Sequence, residues 1–202
     1  EISKSAATKT EKLNAAYVAI QKKMSWDEIR SKYVNTNLKD AFKNAKGNCS
    51  EINLILISLL KDLEIEAYPV MLSTRNNGFT PNYPTEDGFN YMIALARIDG
   101  KNILLDATYK NVLPGVLPRR CLNGKGLILK ETAVEWVDLN PATNQNTITS
   151  VEGKMDENGK IAGKINIAKK GYEAIDLRYD ISSAKEKDTY LKDFEKNNSG
   201  LT

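Results

Sequence analysis

The chain has 202 residues, enough for one ordinary domain or one domain with a small appendage. Hydrophobic residues make up 41% and charged residues 27%, the balance of a soluble globular protein. The net charge of +3, from 29 basic and 26 acidic residues scattered along the chain, gives no basic patch for nucleic acid, and no apolar run approaches the ~20 residues that span a membrane.

Leu13, Ala16, Tyr17, Ile20 and Met24 recur at helical spacing, which predicts an amphipathic helix over residues 9–23. Ser25 and Glu28 have capping-box spacing and predict a short second helix. "NLKDAFKNAKGN" predicts a third, with Leu38, Ala41, Phe42 and Ala45 inward and Gly47 and Asn48 ending it. In "CSEINLILISLLKDL" the apolar residues run nearly all round, so this helix belongs in the interior. "IEAYPVMLST" reads as a strand, which Pro69 places at an edge or bulge. A turn-rich loop over residues 75–88 follows, of the kind that borders sites. "FNYMIALARI" and "KNILLDATY" flank Asp99-Gly100, the signature of a hairpin with a type I′ turn. A Gly/Pro-rich loop leads to strands in "KGLIL" and "ETAVEWVDL".

Composition shifts at "NPATNQNT", residues 140–147, which reads as a linker. This divides the chain into residues 1–143 and 144–202. The second part reads as a three-stranded meander ("TITSVEGKM", "GKIAGKINIA", "YEAIDLRY") and a last helix headed by Ser183 and Glu186 at capping-box spacing. Its size is near the lower limit for independent stability, as for a fragment of a larger β domain.

Two residues suggest chemistry. Cys49 stands in the first turn of the interior helix, where unpaired N–H groups and the macrodipole favour a thiolate and can hold an oxyanion. Taken alone, such a cysteine is more often a small, inert buried hydrophobe. Asp106 ends a strand after "ILL", where an acid needs a partner or solvent. If Asp99-Gly100 is a two-residue turn, Ile98 faces Lys101 and Tyr91 faces Thr108. Asp106 is then diagonal to Tyr91 on the same face. Trp26 is a core or cleft aromatic. Cys121 is a packed thiol or a second one near the site, and Arg119 and Arg120 are solvated or anion-binding.

The helix-start cysteine, the strand with an aromatic-Asn pair and the "LDAT" on the partner strand together resemble the transglutaminase-like superfamily. The segments that carry the resemblance are "GNCSEINLILISLL", "IEAYPVMLSTR", "FNYMIALARIDGKNILLDATYK" and "LPRRCLNGKGLIL", over residues 47–129. It is nearest to bacterial multidomain proteins in which such a core lies between β domains of unknown function. The resemblance implies an α+β, papain-like core of helices packed on an antiparallel sheet, followed by the small β-meander and helix. It places the family's nucleophile on Cys49, its acid on Asp106 and its histidine on Tyr91, after Phe89-Asn90; Trp26, Asn90 and Asn48 are the candidate binding residues beside them.

The chain contains no histidine. Tyrosine, with an ordinary pKa near ~10, is a poor base and cannot form an imidazolium. The expectation is a degenerate, non-catalytic domain that binds a peptide or glycan or serves as a structural module. The alternative is an active cysteine peptidase, amidase or transglutaminase using Cys49 with another base. A third reading is a plain scaffold without an open cleft. No cofactor, metal, nucleic acid or integral membrane segment is expected, and the oligomeric state is open. The chain opens at Glu1 with no signal peptide, as a mature or excised fragment does; the resemblance implies a periplasmic or extracellular protein.

Overall fold

A computed structural model of the chain describes residues 8–79, 87–110, 112–140, 145–183 and 187–197. The chain divides into two compact units, Glu1–Pro141 and Ala142–Thr202.

The first unit opens with α1 (Lys9–Lys23), started by a reciprocal capping box between Thr8 and Glu11. The helix expected after Ser25 does not form. Ser25–Trp26 is instead a short strand, β1, paired in parallel with β2 (Lys46–Gly47). The Asp27 carboxylate takes the Ile29 N–H at 2.9 Å and Glu28 adopts φ 69°, so the local side chain competes with the helical bond and wins. Residues 29–36 are irregular. Next comes α2 (Leu38–Asn44), capped by Asn37 and ended by left-handed Ala45 rather than by Gly47 or Asn48. Only Ala41 of its expected inner residues is fully buried, and Phe42 is exposed.

Helix α3 (Cys49–Asp62) is the interior element. It packs against α1, α2 and the sheet strands β3 (Glu66–Leu72) and β4 (Tyr91–Ile98). Ile52, Leu56 and Leu60 of α3 meet Leu13, Tyr17 and Ile20 of α1, and Ala67, Ala94 and Ala96 supply a small-residue sheet face in the same core. Each fully buried Leu or Ile contributes about 1.5–3 kcal/mol.

With β5 (Lys101–Leu105), β6 (Lys125–Leu129) and β7 (Val134–Asp138) the sheet has the order β5-β4-β3-β6-β7, antiparallel throughout. β3 is therefore central, contrary to the edge position that Pro69 suggested. Pairing of β3 with β6 begins only at Val70, so the proline meets no β6 partner. Ile98 pairs with Lys101 across Asp99-Gly100, both at positive φ, as the two-residue turn predicts.

In the second unit, β8 (Asn146–Met155) and β9 (Ile161–Lys170) form a ten-pair hairpin. The expected third strand is a helix, α4 (Tyr172–Ser183). Tyr172, Ile175 and Tyr179 fit helical spacing as well as Ile175, Leu177 and Tyr179 fit alternation. Left-handed Gly171 decides between them, because its carbonyl accepts from both Ala174 and Ile175 and starts the helix. α5 (Lys187–Asn197) follows. The Glu186 end of the expected capping box lies outside the described residues. So do residues 80–86 of the loop expected beside the site and residues 141–144 of the linker; Asn146 and Thr147, read as linker, begin β8.

Candidate functional site

The site has a thiol side and an acid side. The thiol side is built on the first turn of α3. The Asn48 side chain accepts from the Glu51 N–H at 2.9 Å, and Glu51 Oε2 accepts from the Asn48 N–H at 2.8 Å. Gly47 leaves room for this carboxylate, since a Cβ there would lie 2.7 Å from Glu51 Oε2. The second oxygen, Glu51 Oε1, accepts from the Asn35 N–H (2.8 Å), the Thr36 N–H (2.7 Å) and the Thr36 hydroxyl (3.1 Å). Asn48 Nδ2 donates to the Tyr33 carbonyl at 3.0 Å. Residues 29–36 are thereby tied across the start of the helix.

Ser31 covers the thiol. Its N–H donates to Cys49 Sγ at 3.2 Å, and Sγ donates to the Ser31 carbonyl at 3.0 Å. The same carbonyl accepts from the Ser50 hydroxyl at 2.7 Å. Cys49 is 0% exposed. Burial pushes its pKa up to about 11, although backbone N–H groups of Ser31, Met92 and Ser50 act the other way. The expected thiolate-favouring helix start is thus overridden by desolvation. Glu51 is also buried, which works against its charge, but the N–H donors of Asn48, Thr36 and Asn35 hold its carboxyl below the ordinary value.

The acid side is set by the β4–β5 hairpin. Its register brings the Tyr91 hydroxyl 3.0 Å from Asp106 Oδ2 and 2.9 Å from Thr108 Oγ1. Asp106 Oδ1 accepts from the Thr108 hydroxyl (2.7 Å), the Thr108 N–H (3.1 Å) and Asn53 Nδ2 of α3 (3.1 Å). Asn53 also accepts the Ala107 N–H at 3.0 Å, fixing the end of β5 to the helix. Tyr91 and Asp106 are both 0% exposed.

The charge of Asp106 is met by Arg120, from the short 3-10 turn Arg119–Cys121. Arg120 Nη2 lies 3.2 Å from Asp106 Oδ2 and donates to Thr108 Oγ1 at 2.7 Å. Nε and Nη2 donate to the Tyr91 hydroxyl at 3.2 and 3.0 Å. The guanidinium carbon stands 4.5 Å from the Trp26 ring centroid, 5.4 Å from that of Tyr91 and 5.7 Å from that of Tyr109. Burial opposes its charge, but Asp106 outweighs this and raises the Arg120 pKa. Burial, and then the charge of Asp106, push the Tyr91 hydroxyl well above its ordinary range, so it is a phenol and not a phenolate.

The other expected residues have local tasks. The Trp26 indole N–H donates to the Ile29 carbonyl at 3.1 Å, and its ring meets Tyr91 edge-on with centroids 6.3 Å apart. Asn90 is not brought to the acid. Its side chain accepts from the Thr74 N–H and donates to the Thr74 hydroxyl, both at 2.9 Å. Asn48 is a helix cap. Cys121 is fully buried with its thiol 3.9 Å from Asp106 Oδ2, and burial raises its pKa, reinforced by Asp106. Sequence reasoning left Arg120 as one of a solvated or anion-binding pair, used Thr108 only as a register position, and passed over Asn53, Glu51 and Ser31. The available signal for Arg120 was the need of a buried carboxylate for a cation once no histidine could supply one.

Helices on an antiparallel sheet, a cysteine opening the central helix and an acid at the hairpin end have a counterpart among known families. Residues 1–100 match the model of the transglutaminase-like superfamily. The N-terminal unit belongs to that superfamily. This transglutaminase-like domain has a papain-like fold, and two solved structures are similar to the chain. One is a crystal structure of a proposed protease from Parabacteroides distasonis, with 15% identity and a TM-score of 0.50 over 70% of this chain and 26% of that one. Another is a proposed cysteine protease from Cytophaga hutchinsonii, with 16% identity and a TM-score of 0.37 over 79% of this chain and 44% of that one. The chain thus spans about a quarter of the first structure and less than half of the second. No curated protein matches it. Among the described residues no helix is long and apolar enough to cross a membrane.

Proposed function

We propose that the transglutaminase-like domain is degenerate and non-catalytic, a structural module of an exported bacterial protein. The observation that carries this reading is the Tyr91 hydroxyl, buried and bonded to Asp106, Thr108 and Arg120 where the resemblance calls for a histidine. Cysteine acyl transfer needs a base to take the thiol proton and return it to the leaving group. A phenol with a raised pKa takes no proton at neutral pH. The thiol, with a pKa of about 11, is ionised in only about one molecule in ten thousand at pH 7. Asp106 orients no imidazole; it neutralises Arg120.

A structural role is favoured over a peptide- or glycan-binding cleft by the burial of the residues such a cleft would expose. Cys49, Tyr91 and Asp106 are all 0% exposed. The polar groups of Tyr91, Asp106, Thr108 and Arg120 bond to one another.

The test compares the native chain with Cys49→Ala on peptide amides, activated esters and glutamine-amine transfer. The expected result is equal, background rates for both. Turnover that disappears with Cys49→Ala would overturn the reading and favour an active thiol enzyme.

A further inference from the structure

We infer that residues 29–36 are a hinged cover over Cys49, which opens locally and exposes the thiol while the rest of the unit stays folded. The inference stands apart from the proposed function, because it concerns access to the thiol and not its chemistry.

The segment is held differently from everything around it. Its own apolar side chains point out: Ile29 is 48% exposed, Tyr33 58% and Val34 47%. The groups beneath it, Asn48, Cys49, Ser50 and Glu51, are fully buried. Its hydrogen bonds to the start of α3 converge on one helical turn. They are the Ser31 bonds to Cys49 and Ser50, the Cys49 N–H to the Ile29 carbonyl at 3.4 Å, the Asn48 amide to Tyr33, and Glu51 to Asn35 and Thr36. Opening exchanges these bonds for bonds to water and gives up little apolar burial by the cover itself. That is the pattern of a low-stability local opening unit.

Both ends are anchored, so the movement is confined. Before the segment, the Ser25 N–H bonds to the Ala45 carbonyl at 2.8 Å and the Asp27 N–H to the Gly47 carbonyl at 3.1 Å. After it, Asn37 caps α2. The upstream junction is Glu28, a non-glycine residue at φ 69°, a conformation L residues adopt at a cost that opening can relieve. The cover closes on the thiol side only. Asp106 and Arg120 are held by bonds that do not involve residues 29–36.

The test is labelling of the full chain under native conditions by an aromatic disulfide, with sites mapped by mass spectrometry. It is repeated in the single-thiol proteins Cys121→Ser and Cys49→Ser. Cys49 is expected to react at least about tenfold faster than the equally buried Cys121, with little dependence on low urea, as for a local opening. Thr36→Val and Glu51→Gln are expected to speed Cys49 labelling, which stays faster than Cys121 labelling and keeps its weak dependence on low urea. Equal rates at the two thiols with the steep urea dependence of global unfolding would overturn the inference. A Cys49 rate unmoved by both substitutions would also overturn it. None of these outcomes depends on whether the chain turns over a substrate.

Discussion

The two sides of the site are equally buried but are held by different forces. On the acid side a carboxylate, a guanidinium, a phenol and a hydroxyl satisfy one another, with Asn53 of α3 locking the hairpin end. On the thiol side a segment with outward-facing apolar residues is tied down by bonds from its backbone groups to Cys49, Asn48 and Glu51. The difference teaches that burial of a functional group is no measure of how hard it is to expose. The acid side can open only by separating the buried Asp106 carboxylate from Arg120. The thiol side opens by exchanging neutral and charge-assisted hydrogen bonds for water.

The largest effect should come from Arg120→Met, which leaves Asp106 buried without its cation. A loss of about 3–5 kcal/mol is expected in urea unfolding, as for breaking a buried ion pair from one side. Adding Asp106→Asn should recover part of that loss, and failure to recover would break the claim that charge holds this side. Next, Glu51→Gln should cost about 1.5–3 kcal/mol at neutral pH, since the carboxylate accepts charge-assisted bonds from the cap and the cover. The sign of its pH dependence follows from a depressed folded pKa. The stabilisation is complete above the ordinary value of 4.5 and is lost as pH falls through the lower folded value. The gap between native chain and variant should therefore narrow in acid, and a gap that widens would contradict the tether.

Tyr91→Phe should cost about 1–2 kcal/mol, less than Arg120→Met, because Asp106 keeps Arg120, Thr108 and Asn53 as partners. Tyr91→His should yield no hydrolysis of peptide amides, since Arg120 still occupies the acid and Ser31 still covers the thiol. A gain would show that only the base had been lost. The smallest effect is Thr36→Val, about 0.5–1 kcal/mol, from one lost hydroxyl bond to Glu51.

Much of this arrangement was legible in the sequence where a local rule had one outcome. Asp99-Gly100 fixed a two-residue turn, the turn fixed the register, and the register put Tyr91 and Asp106 within hydrogen-bonding reach. The apolar run that follows Gly47-Asn48 located Cys49 at the start of the interior helix. The rest depended on contacts distant in sequence or on close competitions. Nothing near Arg120 marks it as a partner of Asp106, and whether it is solvated depends on how its loop folds. At Ser25–Glu28 a capping-box spacing lost to an Asp27 side-chain bond. At Tyr172–Tyr179 two periodicities fitted equally, and Gly171 chose between them. The cover over Cys49 has no hydrophobic pattern because backbone groups make it.

The ionisation of Cys49 decides most directly between a non-catalytic domain and a thiol enzyme. The measurement is thiolate ultraviolet absorbance of the Cys121→Ser protein against the Cys49→Ser/Cys121→Ser protein, titrated from about pH 5 to about pH 9. A buried thiol with a pKa of about 11 predicts no absorbance step in that range. A step centred at or below the ~8.5 of an ordinary thiol would contradict the account and show an activated nucleophile.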